Sequence, residues 1–395
     1  MHWASTVSRD PRLDDAIEQV ATTVRDQLGG EAPDLSIVFV SSHHADDYER
    51  LPAGLRRALG GGVILGCSAG GVIGGGSEVE GEAGLSVTAA RMPGVEVVPF
   101  HLRVGDLPAA GAGPAQWERV LRTRVDSDPH FVLLPDPLTF DAEALLRGLD
   151  SVYPSGRKVG GLASGAASSG ENVLYVGAST YRAGAVGVAL HGNIEVDTVV
   201  AQGCRPIGDP MFVTSGDGNL VRSLDGRRPL EVLRDVYDGL LTEDRELFRR
   251  SLFLGVVMRS GCSEYGQGDF LVRNLIGVDE DTGALAVATE VADNMVVQFQ
   301  LRDAHTSAAD LDELLVRYAD GHGDAAAPRG SLMFSCLGRG AGLYGRPDHD
   351  TGLFQQHLGQ VPLGGFFCNG EIGEVQGRTF LHGYTSSFGL FRERS

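Results

Sequence analysis

Lysine is all but missing from this chain: Lys158 is the single one, so arginine carries almost all of the positive charge. That absence removes the lysine-bearing phosphate loop and leaves one side chain for Schiff-base chemistry. Basic clusters are missing too. The formal net charge is −19, no segment gathers enough arginine to offset it, and a phosphate backbone would be repelled. Nucleic acid is therefore not an expected partner. No apolar run approaches the roughly 18 residues of a spanning helix, and the N-terminal residues are acidic rather than a basic segment leading into an apolar one. The expectation is a cytoplasmic protein with no signal peptide and no membrane anchor. Cysteines are few: Cys67, Cys204, Cys262, Cys336 and Cys368 are odd in number, widely spaced and without a C-x-x-C pair, as reduced thiols would be. The histidines show no H-x-x-x-H or H-E-x-x-H spacing, so no metal is expected, nor any cofactor.

Glycine, in contrast, is abundant at 56 residues, roughly twice the usual share and without the three-residue period of collagen. These glycines must serve turns and close backbone approaches. With 42% apolar residues in 395, the chain can build two or three packed domains. Asp10-Pro11 followed by Leu13, Ile17, Val20, Val24 and Leu28, then Gly29-Gly30, reads as an N-cap, a first-turn proline, an apolar stripe and a stop, so an amphipathic helix opens the protein. Leu35 to Val40 and Phe131 to Leu134 read as buried strands, and Asp141 to Leu149, Pro229 to Leu240 and Asp310 to Tyr318 as helices. The class is α/β or α+β. The stretch His191 to Asp197 is the expected boundary between halves, and Ala319 to Arg329 a loop within the second.

One local pattern occurs three times. An apolar strand precedes a helical stretch, a second strand ends in paired glycines and a small-residue loop, and a further apolar strand returns. It runs through Gly66-Cys67-Ser68-Ala69-Gly70 to Leu85-Ser86-Val87, through Gly160-Gly161-Leu162-Ala163-Ser164-Gly165 to Ala185-Val186-Gly187-Val188, and through Gly364-Gly365-Phe366-Phe367-Cys368-Asn369-Gly370 to Phe388-Gly389-Leu390. Duplication of a strand–loop–strand unit explains this; convergent glycine turns are the bland alternative.

Gly66 to Gly70 also matches G-x-S-x-G, the nucleophile elbow of hydrolases. An elbow serine must lead into a helix, whereas here the chain continues Gly71-Val72-Ile73-Gly74-Gly75-Gly76, which helices do not tolerate. Such glycines can instead present backbone N–H groups to an anion. Ser335-Cys336-Leu337-Gly338-Arg339-Gly340 places a thiol and a guanidinium at a strand end, suited to clamping a carboxylate, or equally to a structural ion pair. Phe366-Phe367-Cys368-Asn369-Gly370-Glu371-Ile372-Gly373 gathers a thiol, an amide and a carboxylate around an Asn-Gly turn, either as ligand contacts or as a hairpin with a solvated acid. Arg205 after Cys204, and Arg273 on an apolar strand, are anion contacts or interdomain salt bridges. His382 and His349 are the histidines to follow, each a hydrogen-bonded structural residue unless a nucleophile lies in reach.

Taken together these segments resemble the FIST family. The first half resembles its FIST N region through Gly66-Cys67-Ser68-Ala69-Gly70-Gly71, and the second its FIST C region through Gly203-Cys204-Arg205-Pro206-Ile207-Gly208, Cys336-Leu337-Gly338-Arg339-Gly340 and Gly365 to Gly373 with His382. The resemblance implies a sensory module for a small ligand such as an amino acid. In bacteria such modules are joined to histidine kinases, chemotaxis transducers or cyclase-type outputs, and in eukaryotes to an F-box. Here about thirty residues precede the FIST regions and almost nothing follows them, so a stand-alone member that signals through a separate protein is expected.

The resulting expectation is an α/β protein of two related halves, mainly antiparallel sheets with outer helices, sheet packed on sheet in an αββα-like manner. Residues 1–30 form an N-terminal helix, 31–196 a FIST N-like domain and 197–395 a FIST C-like domain. The ligand would sit where the glycine loops converge, on Gly66, Cys67, Ser68, Gly70, Gly71, Arg205, Cys336, Arg339, Cys368, Asn369, Glu371 and His382. Alternative functions are a protein-interaction platform without a ligand, or a Cys- or Ser-dependent hydrolase-type enzyme using His382 as base.

Overall fold

A computed structural model of the chain describes residues 1–259, 261, 264–322 and 327–394. Cys262 and part of the loop expected over 319–329 lie outside the described residues. The chain divides into two compact units, one of Met1–Val200, Asp312–Leu381 and Thr385–Ser395, the other of Ala201–Leu311 with His382–Tyr384.

The recurrence that organises the first unit is threefold, and it is the one visible in the glycine segments. The first repeat comprises β1 (His2–Ser8), α1 (Leu13–Gln27), β2 (Leu35–Ser41), α2 (Leu51–Leu59), β3 (Val63–Ala69), the short pair β4 (Gly71–Gly74) and β5 (Ser77–Glu80), and β6 (Leu85–Arg91). The second follows the same order with β7 (Val95–Leu102), α3 (Pro114–Leu121), β8 (His130–Pro135), α4 (Ala142–Val152), β9 (Lys158–Gly161), β10 (Leu174–Val176), β11 (Ser179–Tyr181) and β12 (Ala185–Gly192). The third opens with β13 (Glu195–Gln202). After it come the strands of the second unit, β14 (Cys204–Asp217), β15 (Leu220–Leu224), β16 (Leu252–Val257), β17 (Phe270–Val278), β18 (Leu285–Val287) and β19 (Val296–Arg302), with α5 (Pro229–Gly239) and α6 (Thr242–Arg250) between β15 and β16. The third repeat then resumes with α7 (Ala304–His322), β20 (Gly330–Cys336), α8 (Ala341–Tyr344), α9 (His349–Leu358), β21 (Leu363–Cys368), β22 (Glu371–Val375), β23 (Arg378–His382) and β24 (Thr385–Arg392).

In every repeat the two inner strands run parallel across a helix, β2 with β3, β8 with β9 and β20 with β21, and the last strand returns antiparallel to the first of them. The second inner strand would be left with an open edge. A strand from another repeat fills it: β10 pairs with β3, β22 with β9, and β4 with β21, all antiparallel. The exchange is cyclic and yields three six-stranded sheets, β1-β6-β2-β3-β10-β11, β7-β12-β8-β9-β22-β23 and β13-β24-β20-β21-β4-β5. Asn369-Gly370 is therefore not a hairpin turn. The strands on either side of it leave for different sheets, because each finds its backbone partners there.

The sheets share one apolar core, which takes Phe39 and Leu65 from the first, Val132 and Val188 from the second, and Phe334 and Phe366 from the third. At its centre the Phe39 and Phe366 rings stack at 4.4 Å. Helices α1 and α2 cover the outer face of the first sheet, burying the stripe Leu13, Ile17, Val20 and Val24, and α3 and α4 cover the second. The expected α/β class, largely antiparallel sheets and outer helices are all present. The opening helix is preceded by β1, which the sequence reading missed; Asp10 accepts from the Arg12 N–H, while the N-cap is Arg12 itself. In the second unit β14-β15-β18-β17-β16-β19 close into a barrel around Val213, Leu254, Val297 and Phe299.

Gly66, Gly160 and Gly365 occupy matching places on β3, β9 and β21. A Cβ at each would stand 2.1, 1.9 and 1.8 Å from the carbonyl oxygens of Val38, Leu133 and Met333 on the neighbouring parallel strand. No side chain fits there, and the obstruction is backbone. Gly365→Ala should lower stability by about 3 kcal/mol, whereas Gly105→Ala, with nothing within 4 Å of its Cβ position, should stay within about 0.5 kcal/mol of wild type. Urea unfolding of the two variants checks this.

Candidate functional site

The C-terminal ends of β3, β9 and β21 meet. Ser164, just past β9, holds them together: its hydroxyl donates to the Phe367 carbonyl at 2.5 Å and accepts from the Gly70 N–H at 2.8 Å, and its own N–H donates to the Ser68 carbonyl at 3.2 Å. The Asn369 amide donates to the Ala163 carbonyl at 3.2 Å. Gly70, Ser164 and Asn369 stand at the same place in the three repeats, three residues past Gly66's neighbour in the motif and its counterparts. Ser164 is fully buried, while Gly70 and Asn369 are exposed and Cys336 is half-buried. Leu337 lies over the Gly70 position, 2.5 Å from where a Cβ would be. The first-unit residues named from the sequence thus form a locked floor with an exposed rim of Gly70, Asn369 and the Cys336–Leu337 turn.

Beneath this rim the polar groups are buried and paired. Ser68 donates to Asn172 at 3.0 Å and accepts from the Val173 N–H at 3.1 Å; Asn172 donates to Asp136 at 2.8 Å, and Thr139 donates to the other Asp136 oxygen. Ser68 is thus held as a structural hydroxyl, and β4 follows β3 where a hydrolase elbow would need a helix. Cys67 is fully buried, and burial with Asp136 nearby drives its thiol pKa far up.

Arg339 is fully buried. Its guanidinium donates to Asp350 at 2.7 and 3.2 Å and to the Tyr344 hydroxyl at 2.6 Å. His349 reaches the same carboxylate at 2.9 Å and stacks on Tyr344 at 3.5 Å. Burial works against the Asp350 charge, yet Arg339 and His349 hold its pKa down to about 2. This bidentate pair pins the turn that carries Cys336 and Leu337, a structural use of the guanidinium.

Glu371 is fully buried at the start of β22. One carboxylate oxygen accepts from the Thr385 N–H at 3.0 Å and hydroxyl at 2.7 Å; the other accepts from the Cys368 thiol at 3.5 Å. Burial pushes its pKa up to about 7, against the opposing pull of the Thr385 and Cys368 hydrogen bonds and the Arg339 charge. Burial also pushes the Cys368 thiol well up, with Glu371 adding to the rise. Gly66 and Gly71 are buried close-approach positions. Arg205 and His382 belong to the second unit. There Arg205 pairs with Asp303 at 3.0 Å and with Asp244, and His382 is buried. Arg273 donates to the Val272 carbonyl at 3.2 Å. Asp136, Asn172, Ser164, Asp350 and Thr385 were not named as site residues; only the repeat alignment, which matches Ser164 to Gly70 and Asn369, held a signal for any of them.

Comparison with known proteins follows the same outline. The FIST N domain matches residues 34–227 and the FIST C domain residues 229–374. The chain belongs to the FIST family. FIST domains are associated with sensory signal transduction, and the join between the two matches falls between β15 and α5 of the barrel. An uncharacterized protein of Mycobacterium tuberculosis is 38% identical over 387 residues, 98% of each chain. One of Mycobacterium bovis is 36% identical over 389 residues, 98% of this chain and 97% of its own. An F-box/LRR-repeat protein of Arabidopsis thaliana is 24% identical over 187 residues, 42% of this chain and 34% of its own. Among the described residues no helix of this FIST protein is long and apolar enough to cross a membrane.

The Glu371 environment sets a pH dependence. Its ordinary value of 4.5 rises to about 7 in the folded protein, so between these values the unfolded chain releases a proton that the folded protein retains. Stability therefore falls as pH rises through this window, and the cost is complete above about 7. Glu371→Gln cannot ionise. Its stability relative to wild type should rise by roughly 2–3 kcal/mol between about pH 5 and pH 8, as measured by urea unfolding at the two pH values.

Proposed function

We propose that this FIST protein recognises a small polar metabolite, with amino acids as the favoured class, at the rim formed by Gly70, Cys336, Leu337 and Asn369. The observation that carries this reading is the contrast between that rim and what lies under it. The exposed Gly70 backbone and Asn369 amide sit on a floor whose polar groups, Ser68, Ser164, Arg339 and Glu371, are buried and held by named partners. A floor fixed in advance lowers the ordering cost of binding a small molecule. The Asn369 amide, tied through its nitrogen to Ala163, presents its carbonyl oxygen as an acceptor for an ammonium group. Arg339, committed to Asp350, shapes the turn rather than clamping the ligand. Ligand occupancy would then pass to a signalling protein in contact with the rim.

A thermal-shift screen of the purified protein against amino acids, small organic acids, nucleotides and polyamines tests the proposal, with calorimetry on each hit. A ligand at 100 times its Kd stabilises by about 2.7 kcal/mol, a rise of several degrees for a protein of this size. Asn369→Ala should abolish the shift while leaving the unliganded melting temperature within about 2 °C. No shift from any class at millimolar concentration would reject this reading in favour of a ligand-free interaction platform.

A further inference from the structure

Cys336 ends β20 and Cys368 ends β21, and the two are direct partners in the parallel register. Paired residues on neighbouring strands stand about 4.8 Å apart, inside the roughly 4.4–6.8 Å that a disulfide spans between Cα atoms. Both side chains leave the same face of the sheet. The Cys368 sulfur bonds the carbonyl of Ser335, the residue before Cys336, at 3.4 Å, and the Glu371 carboxylate at 3.5 Å. The two thiols differ in environment. Cys336 is half-buried and accepts from the Gly338 N–H at 3.5 Å, and the guanidinium of Arg339, three residues on, is near enough to interact with it. Cys368 is wholly buried beside a carboxylate. Cys67 and Cys204, the other described cysteines, are buried, Cys67 facing Phe39 and Leu174 and Cys204 facing Arg302 in their sheets.

We propose that Cys336 and Cys368 form a peroxide-reactive thiol pair, with Cys336 the attacking sulfur, Cys368 the resolving one and Glu371 the group that takes the Cys368 proton. The chemistry balances with a hydroperoxide as oxidant. The Cys336 thiolate attacks one peroxide oxygen; a sulfur–oxygen bond forms, the oxygen–oxygen bond breaks, and sulfur is oxidised to the sulfenic acid while the second oxygen leaves as hydroxide or alkoxide. The Cys368 proton then passes to Glu371 and the Cys368 sulfur attacks that of Cys336. The sulfur–sulfur bond forms, the sulfur–oxygen bond breaks, and hydroxide leaves as water with the proton from Glu371. The product ties the ends of β20 and β21 covalently beside the Leu337 turn. The proposal needs no metabolite at the rim and stands apart from the preceding one.

The test uses the full chain, reduced and then exposed to equimolar hydrogen peroxide, with non-reduced peptide mass spectrometry. The expected product is the Cys336–Cys368 disulfide. Cys336→Ser should give no disulfide. Cys368→Ser should accumulate a sulfenic acid at residue 336 that dimedone traps. Glu371→Gln should slow disulfide closure roughly a hundredfold, with sulfenic acid at residue 336 that dimedone traps accumulating before it closes; melting curves establish that each variant is folded. Oxidation appearing first at Cys67, Cys204 or Cys262, or sulfenic acid at Cys336 that Cys368 fails to resolve in the wild-type chain, would overturn the proposal.

Discussion

A parallel strand pair joined through a helix leaves the outer edge of its second strand with open backbone donors and acceptors, and buried edges must be closed. In this protein β3, β9 and β21 all face that constraint, and each is closed by a strand from another repeat. None of the three repeats is complete without the others. The exchange forces the chain through a sharp change of sheet just past Ala69, Ala163 and Cys368, and it is there that Ser164 joins three strand ends with one hydroxyl and one N–H. The close approach that admits only glycine at Gly66, Gly160 and Gly365 belongs to the same geometry, since the parallel neighbour's carbonyl fills the space of a side chain.

The same crossings decide which polar groups are buried. Ser68 on β3, Asp136 past β8, Arg339 past β20 and Glu371 opening β22 are carried into the interior with their polar atoms, and each needs a partner at hand. Asn172 answers Ser68 and Asp136, Thr385 answers Glu371, and Asp350 answers Arg339. The third repeat holds Cys336, Cys368, Arg339 and Glu371, and there the Glu371 carboxylate is met by the Thr385 hydroxyl and N–H and the Cys368 thiol.

The strands and helices were largely legible because their signals are local. The buried faces of α1 and α4 show in 3.6-residue spacing, and β2 and β8, covered on both faces, read as continuous apolar runs. β1 was missed because His2-Trp3-Ala4-Ser5-Thr6 lies in a short mixed segment before a strong helix signal. The Asn-Gly turn at 369 misled in a different way: its local chemistry favours a hairpin, but the edge of β9 offers β22 a backbone partner that β21, already paired on both sides, does not.

By itself the sequence determined the α/β class, the family, the threefold glycine pattern and most of the residues that gather at the strand ends, because each of these is written in residue type and spacing. Tertiary structure decided what those residues do. Arg339 meets Asp350 within its own repeat and Cys336 meets Cys368 across the parallel pair β20 and β21, while Ser68 becomes a buried structural hydroxyl through the distant strand that closes the edge of β3. That choice is settled by backbone hydrogen bonds over long sequence separations, and no local pattern of side chains records it.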